Sequence, residues 1–176
     1  MNCIPFAISN LFISIQLFRN WESSDGSKVK SILPVIIGHE GCGVVRKIGE
    51  AVTTYKVGDH IGIPWLNSSC RQCKYCIQGN ENLCGSQRNT GFSEQGCMQD
   101  FVVLDSDKCN IAKIPPSMPL TAAAPLLCAG VTVYRALKES QIKAGEFLCV
   151  MGAAGGLGHL CIQYAKVYVK DISLYY

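Results

Sequence analysis

The sequence predicts a mixed α/β protein, in which a small β-barrel precedes an α/β unit. The first observation is a set of short β-rich runs separated by glycine and aspartate turns. The second is a change to helical patterns after Pro115-Pro116. The third is an apolar strand that leads into a glycine-rich turn and a helix. A domain boundary is therefore predicted near residue 120, between parts at 20–120 and 121–176.

The β-rich runs of the first part lie at residues 44–48, 60–63 and 101–104. Gly-Glu, Gly-Asp and Asp-Ser-Asp turns separate them, as in a small barrel. The second part is predicted to contain helices and one buried apolar strand; the helices lie at 122–127, 132–140 and 159–166, and the strand at 147–151.

Composition favours a soluble globular protein that acts on a small molecule. Of the 176 residues, 48% are apolar and 16% charged, and the net charge of +3 is scattered along the chain. We therefore expect no nucleic-acid or membrane partner. The eleven cysteines are an odd number without a pairing rhythm, so a reducing, cytoplasmic location is expected.

Residues 1–19 form an atypical apolar segment. No basic residue precedes the apolar stretch, and polar residues and Pro5 interrupt it, so it does not match a signal peptide or a membrane span. It is expected to be an irregular strand or helix packed on the domain, or sequence foreign to the fold.

Four cysteines with the spacing C-x2-C-x2-C-x7-C indicate a structural zinc lobe at about 66–88; they are Cys70, Cys73, Cys76 and Cys84. Four thiolates complete a tetrahedral zinc site and leave no open position for chemistry. The intervening residues are mostly polar, so the metal would supply the order of the loop. The alternative is a pair of disulfides.

The glycine-rich turn at residues 152–158 has the sequence Gly152-Ala153-Ala154-Gly155-Gly156-Leu157-Gly158. It stands between a predicted strand and a predicted helix, which is the context of a dinucleotide site. Glycines there let backbone amides approach a pyrophosphate. The alternative is a simple strand-to-helix turn.

A second set of candidate metal ligands is His39, Glu40 and Cys128. Imidazole, carboxylate and thiolate suit zinc, and an open zinc site lowers the pKa of a bound alcohol. The alternatives are a hydrogen-bonded structural histidine and a small buried cysteine.

These motifs together resemble the zinc-dependent medium-chain alcohol dehydrogenase family, closest to the yeast and fungal ethanol-oxidising type. The resemblance covers about residues 32–166. It is carried by segments that follow one another in the family's order: Gly38-His39-Glu40, Gly58-Asp59-His60, Trp65 to Cys70, the four-cysteine lobe, Leu127 to Tyr134, and the glycine turn.

The resemblance implies a GroES-like catalytic barrel followed by the beginning of a Rossmann NAD-binding domain. His39 and Cys128 would ligate catalytic zinc, with Glu40 beside them, and Trp65 would line a pocket for small primary alcohols. Thr132 would lie near the nicotinamide. The cofactors implied are zinc and NAD, the partners an alcohol and its aldehyde, and full-length family members are homo-oligomeric. The alternative for Trp65 is core packing.

The sequence departs from the family at both ends. Family members carry a further zinc-binding cysteine roughly 23 residues before the histidine, by resemblance rather than by a rule of zinc spacing; here that region is Ile15-Gln16-Leu17-Phe18. Cys3 would serve only if the segment were threaded differently. Residues 170–176 do not match the expected second strand, and Asp171 is a poor candidate for the ribose-binding acid.

Three hypotheses follow. The chain is the front half of a true alcohol dehydrogenase altered at both ends, and is catalytically incompetent in this form. Alternatively, it is a genuine short zinc-binding or interaction protein without catalysis. The third hypothesis is another zinc-dependent dehydrogenase or reductase of the same superfamily, acting on longer or aromatic alcohols or on quinones.

Overall fold

The computed structural model describes residues 34–169 throughout. Outside that range it describes only the backbone of the strands Cys3–Pro5, Trp21–Glu22, Lys28–Val29 and Ser173–Tyr175. The chain divides into two compact units, residues 1–124 and residues 125–176.

The first unit consists mainly of short strands: β1 Cys3–Pro5, β2 Trp21–Glu22, β3 Lys28–Val29, β4 Gly41–Val44, β5 His60–Ile63, β6 Leu66–Ser68, β7 Arg88–Asn89, β8 Phe101–Val103 and β9 Ala112–Lys113. All of their pairings are antiparallel. The strands β4, β5 and β9 form a three-stranded sheet in that order, and the others pair as β1 with β8, β2 with β3, and β6 with β7.

The core of the first unit is apolar and lies on β5 and the segments around it. Ile61 and Ile63 are almost completely buried, and they pack with other buried side chains: Val45, Cys97, Val102 and Leu104. Burying an aliphatic side chain of this size contributes about 1.5–3 kcal/mol each. The predictions for 60–63 and 101–104 are confirmed by β5 and, one residue shorter, by β8.

The strand predicted at 44–48 is wrong in its position. The strand is β4, Gly41–Val44, in which Gly41 and Gly43 pair with Ile63 and Ile61. Glycine has a low intrinsic strand preference, so the sequence pattern favoured the β-branched residues that follow. Pairing with β5 and burial of the narrow glycine backbone decide the strand instead.

An excursion between β6 and β7 contains a short helix, α1 Lys74–Ile77, and a 3-10 turn, Glu81–Leu83. Its buried side chains are Cys76 and Cys84, whereas Ile77 is 75% and Leu83 54% exposed. The excursion therefore has almost no apolar core of its own.

The helix predicted at 122–127 is divided in two. The helix α2 runs over Leu120–Ala123, and a 3-10 turn follows at Ala124–Leu127. Pro125 has no backbone N–H and restricts the residue before it, which ends the α-helical hydrogen bonding.

The second unit contains a strand–helix–strand arrangement preceded by a helix. Its elements are α3 Ala129–Ser140, β10 Phe147–Cys149, α4 Gly156–Tyr168 and β11 Ser173–Tyr175. The helices α3 and α4 pack together through a core of Val133, Leu137, Leu160 and Ala165. Both helices begin three residues earlier than predicted.

Two predictions for this unit are corrected. Residues 173–175 do not match a second strand in sequence, but they form the strand β11. This strand pairs in parallel with β10, and Phe147 lies opposite Ser173. The strand β10 is predicted to be buried, but it is largely exposed: Phe147 is 69% exposed, and Cys149 is exposed as well. A continuous apolar run predicts a strand covered on both faces, but β11 is the only strand paired with β10 among the described residues.

No single helix of the described residues is long and apolar enough to cross a membrane. The consecutive segments Leu120–Leu127 and Ala129–Ser140 meet that test of length and composition only when they are counted together.

Candidate functional site

The four cysteines of the excursion come together in space. The Sγ atoms of Cys70, Cys73, Cys76 and Cys84 all lie within 4.8 Å of one another. Cys76 Sγ is 3.6 Å from Cys73 Sγ and 3.9 Å from Cys70 Sγ. Thiolates bound tetrahedrally to zinc at about 2.3 Å are about 3.8 Å apart, whereas a disulfide requires about 2.05 Å. The arrangement therefore fits zinc and does not fit disulfides.

Backbone amides surround these sulfur atoms. The N–H of Cys73 donates to Cys70 Sγ at 3.4 Å, and the N–H of Cys70 donates to Cys84 Sγ at 3.5 Å. Hydrogen bonds from the backbone amides of Gln72 and Cys73, together with one to Cys84, lower the pKa of Cys70 to about 6. Such bonds favour the thiolate, which is the form that binds metal.

Arg71 attaches the zinc lobe to the rest of the first unit. It adopts a left-handed backbone conformation with φ of 57° between the first two cysteines. Its guanidinium donates to the carbonyl oxygen of Asp107 and, at 3.1 Å, to that of Lys108. This role is not predictable from the sequence, because an arginine in a polar loop gives no signal of its partner.

His39 and Trp65 lie in ring contact. Their ring centroids are 5.1 Å apart with an interplanar angle of 77°, and Phe92 lies 6.1 Å from Trp65 on centroids. The three residues come from separate segments of the chain, and Phe92 is not among the site residues that the sequence predicts. Phe92 is buried, and only its neighbourhood in space distinguishes it from an ordinary core residue.

The environment of His39 favours the neutral imidazole. Burial lowers the pKa of His39, and the charge of the adjacent Glu40 opposes that shift. Glu40 itself is exposed. A neutral ring is what metal ligation requires.

Close backbone contacts hold the segment before His39. Its carbonyl oxygens accept three backbone hydrogen bonds of 2.6–3.0 Å. The amide of Gly96 donates to Ile36, that of Cys97 to Gly38, and that of Met98 to Ile37. A methyl group on Gly96 would lie 2.4 Å from the carbonyl oxygen of Ile37. Only glycine permits this approach.

The second unit carries the remaining candidates. Cys128 is the N-cap residue of α3 and is half-buried, and its carbonyl oxygen accepts a 3.0 Å hydrogen bond from the amide of Thr132. The side chain of Thr132 is exposed on the first turn of that helix.

The glycine turn forms a compact strand-to-helix connection. Gly152 has a φ of 71°, and Gly155 is the N-cap residue of α4. A methyl group on Gly158 would lie 2.2 Å from the carbonyl oxygen of Gly152. The residues between them, Ala153, Ala154, Gly156 and Leu157, are exposed or half-exposed, so most of this turn is accessible to solvent.

Taken together, the antiparallel first unit and the cysteine lobe define the class of this protein. A family model described as the alcohol dehydrogenase GroES-like domain matches residues 16–116, which is more than half of the chain. The chain belongs to this family.

Curated relatives agree with that assignment. The chain is 48% identical to an alcohol dehydrogenase of Schizosaccharomyces pombe over 134 residues, and 48% identical to one of Geobacillus stearothermophilus over 138 residues. These alignments cover 76% and 78% of the chain but only 38% and 40% of the relatives. The chain thus spans about two fifths of the length of the proteins it matches.

Solved structures show the same similarity. A cinnamyl alcohol dehydrogenase from Sorghum bicolor matches with a TM-score of 0.71 and 37% identity, over 81% of this chain and 42% of that one. The predicted resemblance to the medium-chain alcohol dehydrogenases is confirmed.

Proposed function

We propose that this chain provides the catalytic domain and the beginning of the Rossmann domain of a zinc-dependent alcohol dehydrogenase, which oxidises small primary alcohols to aldehydes with NAD. The observation that carries the proposal is the His39–Trp65 contact within a domain of the alcohol dehydrogenase family. We also propose a cytoplasmic location and homo-oligomers for the complete protein.

Zinc has two roles in this proposal. The four cysteines of the lobe hold one ion that orders the loop, and their thiolate set and sulfur spacing support that assignment. His39 and Cys128, with Glu40, would hold the second ion, which would supply Lewis-acid chemistry that lowers the pKa of an alcohol.

The chain's own residues bind and orient the reactants. The neutral ring of His39 is available as a metal ligand, and the Trp65 indole beside it narrows the space for an alcohol. The amides of the glycine turn would bind the pyrophosphate of NAD at the start of α4. Thr132 would contribute to the nicotinamide side of the site. Hydride transfer itself is chemistry of the cofactor.

The 176-residue chain is expected to be inactive alone. Residues 15–18, where the family places a further zinc-binding cysteine, contain no metal ligand; they lie outside the described residues. The test is NADH formation from ethanol by the purified chain. Appreciable turnover would contradict the assignment of the missing ligand.

The intact mass of the protein from its own source provides a second test. A mass near twice the 19.1 kDa of this chain supports a dehydrogenase of family length. A mass equal to that of this chain supports the second candidate, a zinc-binding module without catalysis, in which the four-cysteine lobe would hold the metal.

The class of alcohol requires a separate comparison. The similarity to a cinnamyl alcohol dehydrogenase favours an aromatic alcohol as the alternative substrate, whereas Trp65 favours a small one. Ethanol and cinnamyl alcohol are to be compared with the family-length form. A higher kcat/KM for cinnamyl alcohol would overturn the small-substrate proposal.

A further inference from the structure

Thr90 fixes the backbone on both sides of Trp65. Its side chain is completely buried, at 0% exposure. The Thr90 hydroxyl donates a 2.8 Å hydrogen bond to the carbonyl oxygen of Pro64, and the Thr90 amide donates a 2.9 Å bond to the carbonyl oxygen of Trp65. Those carbonyls belong to the two peptide groups that flank the Trp65 Cα. Thr90 therefore restrains both peptide groups of the backbone from which the Trp65 side chain extends.

The next residue, Gly91, contacts the segment that carries His39. A methyl group on Gly91 would lie 2.8 Å from the carbonyl oxygen of Gly38, and the φ of Gly91 is 75°. Gly38 directly precedes His39. Of two consecutive residues, Thr90 thus binds the backbone on both sides of Trp65, and Gly91 lies close against the backbone that precedes His39.

The rings of His39 and Trp65 contact each other. The His39–Trp65 centroid distance is 5.1 Å in an edge-on arrangement, and Phe92, two residues after Thr90, packs against Trp65 at 6.1 Å. Edge-to-face ring contacts depend on orientation as well as on distance. Loss of one backbone hydrogen bond beside Trp65 therefore changes this contact.

We propose that Thr90 is a positioning residue, whose hydroxyl holds the Trp65 indole against the His39 imidazole. The inference rests on the proposed function, in which His39 binds the catalytic zinc and Trp65 lines the alcohol pocket. Displacing the indole would change the width of that pocket and the orientation of the ligand ring at once.

The experiment uses Trp65 as its own probe. The chain has two tryptophans, so Trp21→Phe leaves Trp65 as the only indole. A protonated imidazole in ring contact quenches indole fluorescence, so at a pH at which His39 is protonated, His39→Gln raises the emission of Trp65 in this background. The increase on His39→Gln measures the ring contact, and the anisotropy of Trp65 measures the freedom of the indole.

Thr90→Val has nearly the same shape as threonine but lacks the hydroxyl. We expect it to abolish the increase on His39→Gln and to lower the anisotropy of Trp65. Thr90→Ser keeps the hydroxyl and is expected to preserve both signals. Thr54→Val, at an exposed position, removes a hydroxyl without effect and serves as the matched control.

Two outcomes would overturn the proposal. In one, His39→Gln raises the emission equally with Val or Thr at position 90. In the other, Thr90→Ser loses the contact as completely as Thr90→Val, which assigns the effect to the methyl group. Thr90→Ala replaces the valine variant if that variant does not fold. The readout requires no turnover, so an inactive dehydrogenase and a mispositioned Trp65 are distinguished.

Discussion

At the scale of single residues, the cysteines of this chain differ according to what surrounds them. The four lobe cysteines have other sulfur atoms and backbone amides as neighbours, and the resulting hydrogen bonds hold the pKa of the Cys70 thiol at about 6. Cys97 lies in the apolar core of the first unit, and burial raises its pKa to about 12. One residue type thus provides candidate metal ligands in one place and inert core atoms in another.

The first residue-scale prediction concerns Cys76, which is buried among the other lobe sulfurs. Cys76→Ser replaces a thiolate by a poor zinc ligand, so we expect loss of the lobe zinc and a lower melting temperature. Zinc content and thermal unfolding measure the two effects. Cys149→Ser, at an exposed position, is the control. Unchanged zinc and melting in Cys76→Ser would show that the ligand assignment is wrong.

The second residue-scale prediction concerns thiol reactivity. Burial raises the pKa of Cys42 to about 11, with a further contribution from the Glu40 charge, and Cys42 and Cys97 are each 5% exposed. At neutral pH we expect iodoacetamide to modify the exposed Cys149 while these two remain unmodified until urea unfolds the chain. Peptide mapping by mass spectrometry measures this difference. Rapid modification of Cys97 in the folded protein would contradict its burial.

At the scale of elements, close backbone contacts hold the candidate site more than side-chain packing does. Gly38, Gly91 and Gly96 bring three segments together beside His39. In the second unit, Gly158 brings the first turn of α4 against Gly152. These contacts are shorter than any Cβ permits, so each can be tested by adding one methyl group.

Gly96→Ala is the test in the first unit. The new methyl group would lie 2.4 Å from the carbonyl oxygen of Ile37, a backbone atom that cannot move away as a side chain can. We expect a loss of roughly 1–3 kcal/mol in the free energy of unfolding, measured by urea denaturation. Gly85→Ala, where no atom lies within 4 Å, is expected to change it by less than about 0.5 kcal/mol. Equal effects of the two variants would contradict the close approach.

Gly158→Ala is the test in the glycine turn. Its methyl group would lie 2.2 Å from the carbonyl oxygen of Gly152 and 2.6 Å from the Cα of Ala153, so the variant is expected to displace the turn and to lower the unfolding temperature of the second unit. Gly156→Ala meets no atom within 4 Å, and alanine favours a helix by up to about 1 kcal/mol over glycine. A stable Gly158→Ala protein would show that the turn is looser than this contact requires.

At the scale of the whole molecule, the two units draw on different sources of stability. The first unit combines an apolar core around Ile61 and Ile63 with a lobe that has almost no buried side chains besides its cysteines. The second unit depends on the packing of α3 against α4. We therefore expect zinc bound by the lobe cysteines to contribute to the order of the first unit.

Removal of zinc with a chelator tests that distinction. We expect the lobe to lose its order, so that limited proteolysis cuts within residues 70–84, while the second unit keeps its protection. Readdition of zinc is expected to restore resistance. Cleavage of both units together, or no change in the lobe, would contradict the separate roles.

Local chemistry made much of this protein predictable from its sequence. The spacing of Cys70, Cys73, Cys76 and Cys84 is a property of neighbouring residues, so the sequence predicts the lobe, and its sulfur atoms do come together. The strand β5, with its β-branched residues, is also predictable from neighbouring residues. The same holds for the strand-turn-helix around Gly155. The family resemblance, carried by ordered motifs, was confirmed in the same way.

Tertiary structure decided what depends on residues that are distant in sequence. The strand at Gly41–Val44 exists because β5 lies beside it, and β11 exists because β10 provides a parallel partner. The roles of Arg71, Thr90 and Phe92 could not be predicted, because their partners lie 36, 26 and 27 positions away. The sequence by itself determined the family and the metal lobe through local spacing. Only the fold determined which side chains orient His39 and Trp65, since that depends on long-range hydrogen bonds and close backbone contacts.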